Sequence, residues 1–325
     1  MRQQTLIAEA SFEQYRKTTR REVFLDEMER VVPWAELCAL IEPVYPQAEG
    51  AGRPPVGVER MLKIYFLQQW FNLSDPAVEE ALYDSRALRS FVGIDLGREP
   101  APDETTVCKF RHLLETHDLG GRLFEQVSTY LQQRGLKIST GTIVDATIIN
   151  APSSTKNRDK QRDPEMCQTK KGNQWYFYPE GHKGMKAPIG TDSKTKLIHA
   201  VVATAANVHD SQVLADLLHG EETRVWGDSA YTNQGEVMRQ CAPNALDFTN
   251  QKGYRNCPLS EQQKATNRTK SKVRAKVEHP FLVIKRIFGF AKTRYRGLDK
   301  NAHRLFVTCA LANLFMARRY LLRLA

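Results

Sequence analysis

Residues 143–149 combine a run of strand-forming side chains with an acid near its middle. The run reads Ile-Val-Asp-Ala-Thr-Ile-Ile, and a short segment this rich in β-branched residues predicts a buried strand. Burying a lone carboxylate has a large free-energy cost. Asp145 therefore needs either a position at the end of the strand or a partner, which could be a basic side chain or a metal ion.

The segments after this strand predict a sheet with helices on its faces. Two strands at 185–191 and 197–204 flank the turn residues 192–195, which is typical of a hairpin. The further elements alternate: a helix at 210–218, a strand at 223–228, a helix at 234–240, a strand at 245–248, and helices at 277–288 and 302–322. Three antiparallel strands followed by strands alternating with helices predict an α/β fold, a mixed sheet flanked by helices. This order resembles the ribonuclease H-like topology.

The chain before residue 139 has helical patterns instead. They occur at 22–41 with a boundary at Pro33, at 58–72, from Asp75-Pro76, where Asp75 is the predicted N-cap, and from the start signal Pro102-Asp103-Glu104. We predict an all-helical N-terminal domain (1–138) and a second domain (139–325). The short helices favour a helix-turn-helix-like, DNA-binding unit in which Lys109 and Arg111 face DNA. The alternative is a small helical domain that only packs on its neighbour.

The positive charge of the chain is concentrated at its C-terminal end. Lys and Arg total 47 against 37 acids, a net charge of +10. Residues 251–325 alone carry a net charge of +15, so the first 250 residues carry a net charge of −5. Such a segment is typical of a surface that binds a polyanion, most often nucleic acid. A solvated basic surface is the alternative, but interleaved aromatic and aliphatic residues favour a folded segment.

Composition excludes several classes of protein. With 41% hydrophobic and 26% charged residues, the chain is typical of globular proteins. It has no apolar run of about 18 residues, and Glu9 interrupts the N-terminal segment where a secretory signal would be apolar. We therefore expect a cytoplasmic, nucleoid-associated protein without a membrane partner. The six cysteines are scattered, which fits reduced thiols rather than a disulfide framework or a zinc site.

Asp228, at the end of the predicted strand 223–228, is a second acid next to core residues and needs a partner for the same reason as Asp145. Two acids at strand ends can converge on one edge of a sheet, where their repulsion would be ~4 kcal/mol at ~4 Å and a dielectric constant near 20. A divalent cation relieves that repulsion, and hard oxygen ligands favour Mg²⁺ or Mn²⁺. Taken alone, either aspartate could be a turn or capping residue.

Glu278 is the third candidate acid, and it lies in the basic segment. If residues 274–286 form one helix, Arg274, Glu278 and Lys285 share a face. That face would place a metal ligand between two cations directed at phosphates. Pro280 either kinks this helix or begins a new one, which would leave Glu278 near a helix N-terminus. A surface salt bridge between Glu278 and Arg274 is the alternative role.

Together these segments resemble a known family. Asp145 in TIVDATII, Asp228 in VWGDSAY and Glu278 in RAKVEHPFLVIKRIFGFAKTRYRGL are similar to the DDE triad of bacterial insertion-sequence transposases. The resemblance is to the insertion sequence 5 family within the insertion sequence 4-like group, and it covers about residues 15–320. The segments GMKAPIGTD, TAANVHDS and PDETTVCKFR also resemble it. Ser271 replaces a tyrosine of the family pattern, and Ala230 replaces a glycine.

The resemblance implies a ribonuclease H-like core in which Asp145, Asp228 and Glu278 are catalytic and hold two Mg²⁺ ions, for which Mn²⁺ substitutes. It also implies cleavage at the ends of a mobile element and transfer of the resulting 3′-OH into target DNA. The implied partners are double-stranded DNA, as terminal inverted repeats and as target, and further copies of the chain in a homo-oligomer. Further residues predicted to bind DNA are basic: Arg274, Lys285, Lys276 and Arg286.

Two other functions stay open on the sequence alone. One is a catalytically silent descendant of a transposase that only binds DNA. The other is a nuclease that hydrolyses DNA without strand transfer. A metal-dependent cleavage assay separates the first from a transposase, and a joined product separates the second.

Overall fold

The computed structural model describes residues 17–47, 54–136, 140–152, 160–169 and 182–324. The first part of the described chain is helical, as predicted. Its helices are α1 (Arg20–Val31), α2 (Trp34–Ile41), α3 (Val58–Trp70), α4 (Asp75–Asp84), α5 (Arg86–Val92), α6 (Glu104–Thr116) and α7 (Leu119–Gln133). Pro33 separates α1 from α2, because proline cannot donate the backbone hydrogen bond that would continue a helix.

Side-chain caps fix where several of these helices begin. Asp103 caps α6 by accepting a hydrogen bond from the Thr106 N–H at 2.7 Å, as the start signal predicted. The cap of α4 is Ser74, whose hydroxyl accepts from the Ala77 N–H, so the prediction that Asp75 caps this helix was wrong. Asp75 is the first helical residue instead, and its carboxylate is free to contact other helices.

Seven strands within the described residues form one mixed sheet. They are β1 (Gly141–Asn150), β2 (Gln168–Thr169), β3 (His182–Asp192), β4 (Ile198–Val201), β5 (Thr204–Ala205), β6 (Arg224–Trp226) and β7 (Leu246–Asp247). The strand order is β2-β3-β1-β6-β7, and β4 and β5 also pair with β3. β3 is antiparallel to β1, β2, β4 and β5, whereas β6 is parallel to β1 and to β7. The predicted mixed sheet, with its antiparallel strands first, is confirmed.

The connections between the strands depart from the prediction in one place. α8 (Gly235–Cys241) lies between β6 and β7, as predicted. The helix expected at 210–218 is two 3₁₀ turns, Asp210–Val213 and Ala215–Leu217. Residues 153–171 are polar and predict an exposed loop; within them only 160–169 are described, and these include the two-residue strand β2 (Gln168–Thr169).

Three helices of the basic segment complete the fold: α9 (Glu261–Arg274), α10 (Glu278–Leu282) and α11 (Leu298–Leu321). α11 packs against α7, α1, α3 and β4. Its apolar side chains join the N-terminal helices and one face of the sheet in a single hydrophobic cluster, while a smaller cluster around Val144 and Tyr231 lies on the opposite face. The predicted domain boundary at residues 138 and 139 falls outside the described residues.

No helix in the described ranges has both the length and the apolar character that a membrane crossing requires.

Candidate active site

Asp145 lies where β1 loses one of its neighbouring strands. β6 pairs with β1 only from Gly141 to Ile143, whereas β1 continues to Asn150 against β3. Asp145 is therefore two residues beyond the β1–β6 ladder, and 14% of its side chain is exposed. Its Oδ1 accepts a hydrogen bond from the Ala146 N–H at 2.9 Å. The sequence allowed Asp145 a position at a strand end. Asp145 lies instead inside β1, just beyond the point where β6 stops pairing with β1.

Asp228 follows the carboxyl end of β6 by two residues. Because β6 is parallel to β1, both aspartates lie beyond the same end of their shared ladder. Asp228 is half-buried and caps a 3₁₀ turn, Ser229–Tyr231, by accepting a hydrogen bond from the Ala230 N–H at 2.8 Å. The capping alternative is therefore correct for Oδ1 of Asp228. Its Oδ2 has no hydrogen-bond partner among the described residues and remains available to a ligand.

Glu278 begins a new helix, which decides between the two interpretations of Pro280. A 3₁₀ turn, Ala275–Val277, separates α9 from α10, and Glu278 is the first residue of α10. Pro280 lies in the first turn of α10, where its missing N–H leaves no hydrogen bond unmade. The Glu278 side chain is exposed. The alternative salt bridge to Arg274 is not formed, because Arg274 pairs with Asp145 instead.

The electrostatic environment of Asp145 connects the three predicted acids. The pKa of the Asp145 carboxyl is raised to about 6, chiefly by burial and further by the charges of Asp228 and Glu278. The Arg274 guanidinium and the hydrogen bond from the Ala146 N–H act in the opposite direction. Charge interactions weaken with distance, so acids that act on Asp145 in this way lie in its neighbourhood. The fold thus brings three acids that are distant in sequence into one region.

These acids form an open group rather than a closed metal cage. Within the part of the chain that the structure describes, no group of three or more His, Cys, Asp or Glu side chains is close enough to hold one ion. The donor atoms are carboxylate oxygens, which Mg²⁺ and Mn²⁺ prefer. This donor set, together with Oδ2 of Asp228, which has no hydrogen-bond partner among the described residues, fits a divalent cation.

Two basic residues of the C-terminal segment contact the same face of β1. Nη1 of Arg274 donates to Oδ2 of Asp145 at 2.8 Å. Nζ of Lys285 donates to Oγ1 of Thr147 at 3.0 Å and to the Ile148 carbonyl at 2.7 Å. Side chains two apart on a strand point to one face, so Asp145 and Thr147 direct both cations to that side of the sheet. The condition of the prediction, one helix over residues 274–286, is not met, because Arg274, Glu278 and Lys285 belong to successive helical segments.

The other predicted DNA-binding residues lie in different environments. Nζ of Lys276 donates to the Ser193 carbonyl at 2.7 Å, which ties this lysine to the turn between β3 and β4. The side chains of Arg286 and Lys109 are exposed. Contact of these three residues with DNA stays a prediction.

Arg111 does not face DNA, and this prediction was wrong. The residue is 5% exposed and pairs with Asp75 at 3.1 Å and with Glu115 at 2.9 Å. Its guanidinium also lies 4.2 Å from the centre of the Tyr295 ring. The spacing of the helix could have predicted this burial, because Arg111 follows the apolar Val107 by four residues and so lies on the buried face of α6.

Sequence reasoning assigned no role to a further acid in this region. Asp210 pairs with Lys186 at 2.9 Å, and the lysine also donates to the Val208 carbonyl at 2.6 Å. The buried Tyr231 hydroxyl has no hydrogen-bond partner among the residues that the structure describes. Its pKa is raised by burial first and then by Asp210, Asp145 and Asp228. Asp210 therefore belongs to the same acidic region, and the only sequence signal for it was the TAANVHDS segment.

The raised pKa of Asp145 predicts a pH-dependent effect on stability. A carboxyl whose pKa is higher in the folded than in the unfolded chain favours folding below its unfolded pKa, and this contribution is lost as pH rises through the folded value, here about 6. Above that pH the charged Asp145 destabilises the fold by up to about 3 kcal/mol, since each pKa unit corresponds to about 1.4 kcal/mol. We expect Asp145→Asn to increase the free energy of unfolding at pH 8 and to have little effect at pH 4, as measured by urea denaturation. An equal effect at both pH values would contradict this assignment.

Comparisons with known proteins agree with this geometry. Residues 137–314, more than half of the chain, match the model of a family described as "Transposase DDE domain", and residues 12–113 match "Transposase domain (DUF772)". Among solved structures, the chain is similar to a piggyBac transposase synaptic complex with hairpin DNA, with 9% sequence identity and a TM-score of 0.50. That match covers 93% of this chain and 75% of the other. At this identity the likeness concerns the fold alone, and it confirms the predicted ribonuclease H-like mixed sheet with an N-terminal helical region. The chain belongs to the DDE transposase family.

Proposed function

We propose that this chain is the transposase of a bacterial insertion sequence, similar to the insertion sequence 5 family within the insertion sequence 4-like group. It would act in the cytoplasm, at the nucleoid, on double-stranded DNA. The observation that best supports the proposal is the parallel β1–β6 ladder, beyond whose end both Asp145 and Asp228 lie, and the charges of Asp228 and Glu278 also raise the pKa of Asp145. The adjacent Arg274 adds a cation suited to a DNA phosphate.

The residues that would hold a cofactor are Asp145, Asp228 and Glu278, with two Mg²⁺ ions and with Mn²⁺ as a substitute. Members of the family use divalent ions. When bound, such ions activate an attacking oxygen and stabilise the leaving oxygen of an in-line displacement at phosphorus. The proposed site lies at the end of the β1–β6 ladder, where β1 is paired with β3 but no longer with β6.

Two displacements at one site follow from this arrangement. In the first, water attacks the phosphodiester at the element's end, and the bond that breaks releases a 3′-OH. In the second, that 3′-OH attacks a phosphodiester of target DNA, and the displaced target oxygen leaves as a new 3′-OH. Arg274 and Lys285 would bind the phosphates of the reacting strand. Such contacts give affinity that falls with salt and carries little sequence information.

Recognition of the terminal inverted repeats would then require other surfaces, and the N-terminal helices with the exposed Lys109 are the candidates. Both ends of an element must be held during transposition. A homo-oligomer assembled on DNA therefore fits the proposed reaction.

The proposal is tested with purified protein, Mg²⁺ and a labelled duplex that carries the terminal sequence bordering the gene. We expect cleavage at the element end that requires the metal, followed by a joined product when target DNA is present. Cleavage without any joined product would identify a nuclease. Binding without cleavage in Mg²⁺ or Mn²⁺ would identify a catalytically silent DNA-binding protein.

A further inference from the structure

α9 leads directly to the candidate active site, yet it is almost entirely outside the protein core. None of its 14 residues is buried. Its termini are fixed by a capping box at Ser260 and Gln263 and by the turn that leads to Glu278. A helix with no buried side chain gains little from the hydrophobic effect. Its position must therefore be fixed mainly by polar contacts.

Those polar contacts lie along one side of α9. Asn267 exchanges two hydrogen bonds of 3.0 Å with the backbone of Gln251, and Lys270 donates to the Thr249 carbonyl at 2.9 Å. Further along the same side, Ser271 accepts from Asn250 and Arg274 donates to Asp145. These contacts dock α9 against the loop after β7 and against β1. The neighbouring side of the helix is left exposed.

Three cations, Lys264, Arg268 and Lys272, form a row on that exposed side, which we term the α9 basic row. They follow one another at intervals of four residues, so they lie on one face of the helix, and all three line one shallow groove. Within the described part of the chain, Lys264 pairs only with the exposed Glu261 of the same helix. Arg268 and Lys272 form no ion pair with any residue that the structure describes. Like charges at this spacing destabilise a helix, so the row is explained if a polyanion lies along it.

The spacing of the row matches a DNA backbone. Eight helical residues rise by about 12 Å, whereas the phosphates of one DNA strand are spaced about 3.4 Å along the duplex axis. A row of this length therefore spans three to four successive phosphates. The helix continues from the row to Arg274, whose guanidinium is 2.8 Å from Asp145. A strand on the row would thus lead toward the acidic region.

We infer that the α9 basic row binds the backbone of the element-end duplex beside the scissile phosphate. The inference rests on the proposed function and extends it, because it assigns these residues to the DNA that is cut first. The element end must be held from cleavage until its 3′-OH has been joined. A binding surface on the same helix as Arg274 can hold that DNA throughout both displacements.

The test measures affinity for the element-end duplex at a series of salt concentrations without divalent metal. The variant Lys264→Gln/Arg268→Gln/Lys272→Gln removes the row, and Arg30→Gln/Arg319→Gln/Arg323→Gln removes three other exposed cations. We expect the first variant to reduce the slope of log affinity against log salt by about three, since each phosphate contact contributes about one. Its affinity at 50 mM salt should fall at least about tenfold. The second variant should change both quantities much less.

A charge-preserving variant, Lys264→Arg/Arg268→Lys/Lys272→Arg, should bind as the wild type does and shows that the row needs charge. Equal effects of the two glutamine variants would overturn the inference, and so would an unchanged salt slope. Phosphate-ethylation interference should locate the contacts on the element-end strand. Interference found only on target DNA would overturn the assignment to the element end. A wild-type protein that does not bind DNA would contradict the proposed function itself.

Discussion

We expect Asp145→Asn, Asp228→Asn and Glu278→Gln each to abolish DNA cleavage while DNA binding is retained. Each substitution removes a negative charge and a carboxylate oxygen but keeps the size of the side chain. Changing a residue that only orients a metal ligand costs 10–100-fold in affinity or activity. Losing a ligand should therefore reduce the rate of cleavage by more than about a hundredfold. The rate is measured with Mg²⁺ on a labelled element-end duplex, and binding is measured by a mobility shift without metal.

Asp216→Asn is the matched control for these three variants. Asp216 is an exposed acid in the second 3₁₀ turn after β5, Ala215–Leu217. It is not among the charges that affect the pKa of Asp145. Its variant should cleave at the wild-type rate. If any of the three candidate acids could be replaced with near-normal cleavage, that acid would be removed from the proposed site. The other two would then need a different third ligand.

Arg111→Ala should have the largest effect on stability, with a loss of about 3–5 kcal/mol in the free energy of unfolding. That is the usual cost when one partner of a buried ion pair is removed and the other charge is left alone. Two such charges, Asp75 and Glu115, are 17% and 11% exposed and both pair with Arg111. The variant also removes the contact with the Tyr295 ring, which connects α6 to the segment before α11. Urea denaturation at pH 7 measures the loss.

Lys109→Ala is the control for Arg111→Ala, because Lys109 lies on the same helix and is exposed. Surface substitutions of this kind usually change stability by less than about 0.5 kcal/mol. We expect Lys109→Ala to weaken DNA binding without destabilising the protein. If Arg111→Ala were as stable as the wild type and bound DNA less well, Arg111 would be a DNA contact after all.

Local sequence patterns predicted the elements that depend on nearest neighbours. The β-branched residues around Asp145 predicted β1, because such side chains pack well on the pleated, half-buried surface of a strand. The start signal at Asp103 gave the beginning of α6, since a cap depends on residues only three positions away. At Ser74 and Asp75 two adjacent residues could both have capped α4. Ser74 is the cap because its backbone is extended, whereas Asp75 is already helical, and the residue types alone do not show this difference.

The candidate site depended on contacts that a local pattern does not contain. Arg274 and Asp145 are 129 residues apart, so only the folded chain shows that a predicted phosphate ligand pairs with a predicted metal ligand. The role of Pro280 was undecided for a similar reason, because both a kink and a new helix are compatible with proline. The pair of Asp210 with Lys186 joins a 3₁₀ turn to β3 and had no local signal either.

The central claim is that Asp145, Asp228 and Glu278 hold metal ions together, and anomalous diffraction from manganese tests it most directly. Crystals of the full chain grown with the element-end duplex and Mn²⁺ would give the position of each ion. The account predicts manganese peaks at coordination distance from carboxylate oxygens of all three residues, beside a DNA phosphate. Manganese bound elsewhere, or at only one of the three carboxylates, would contradict it.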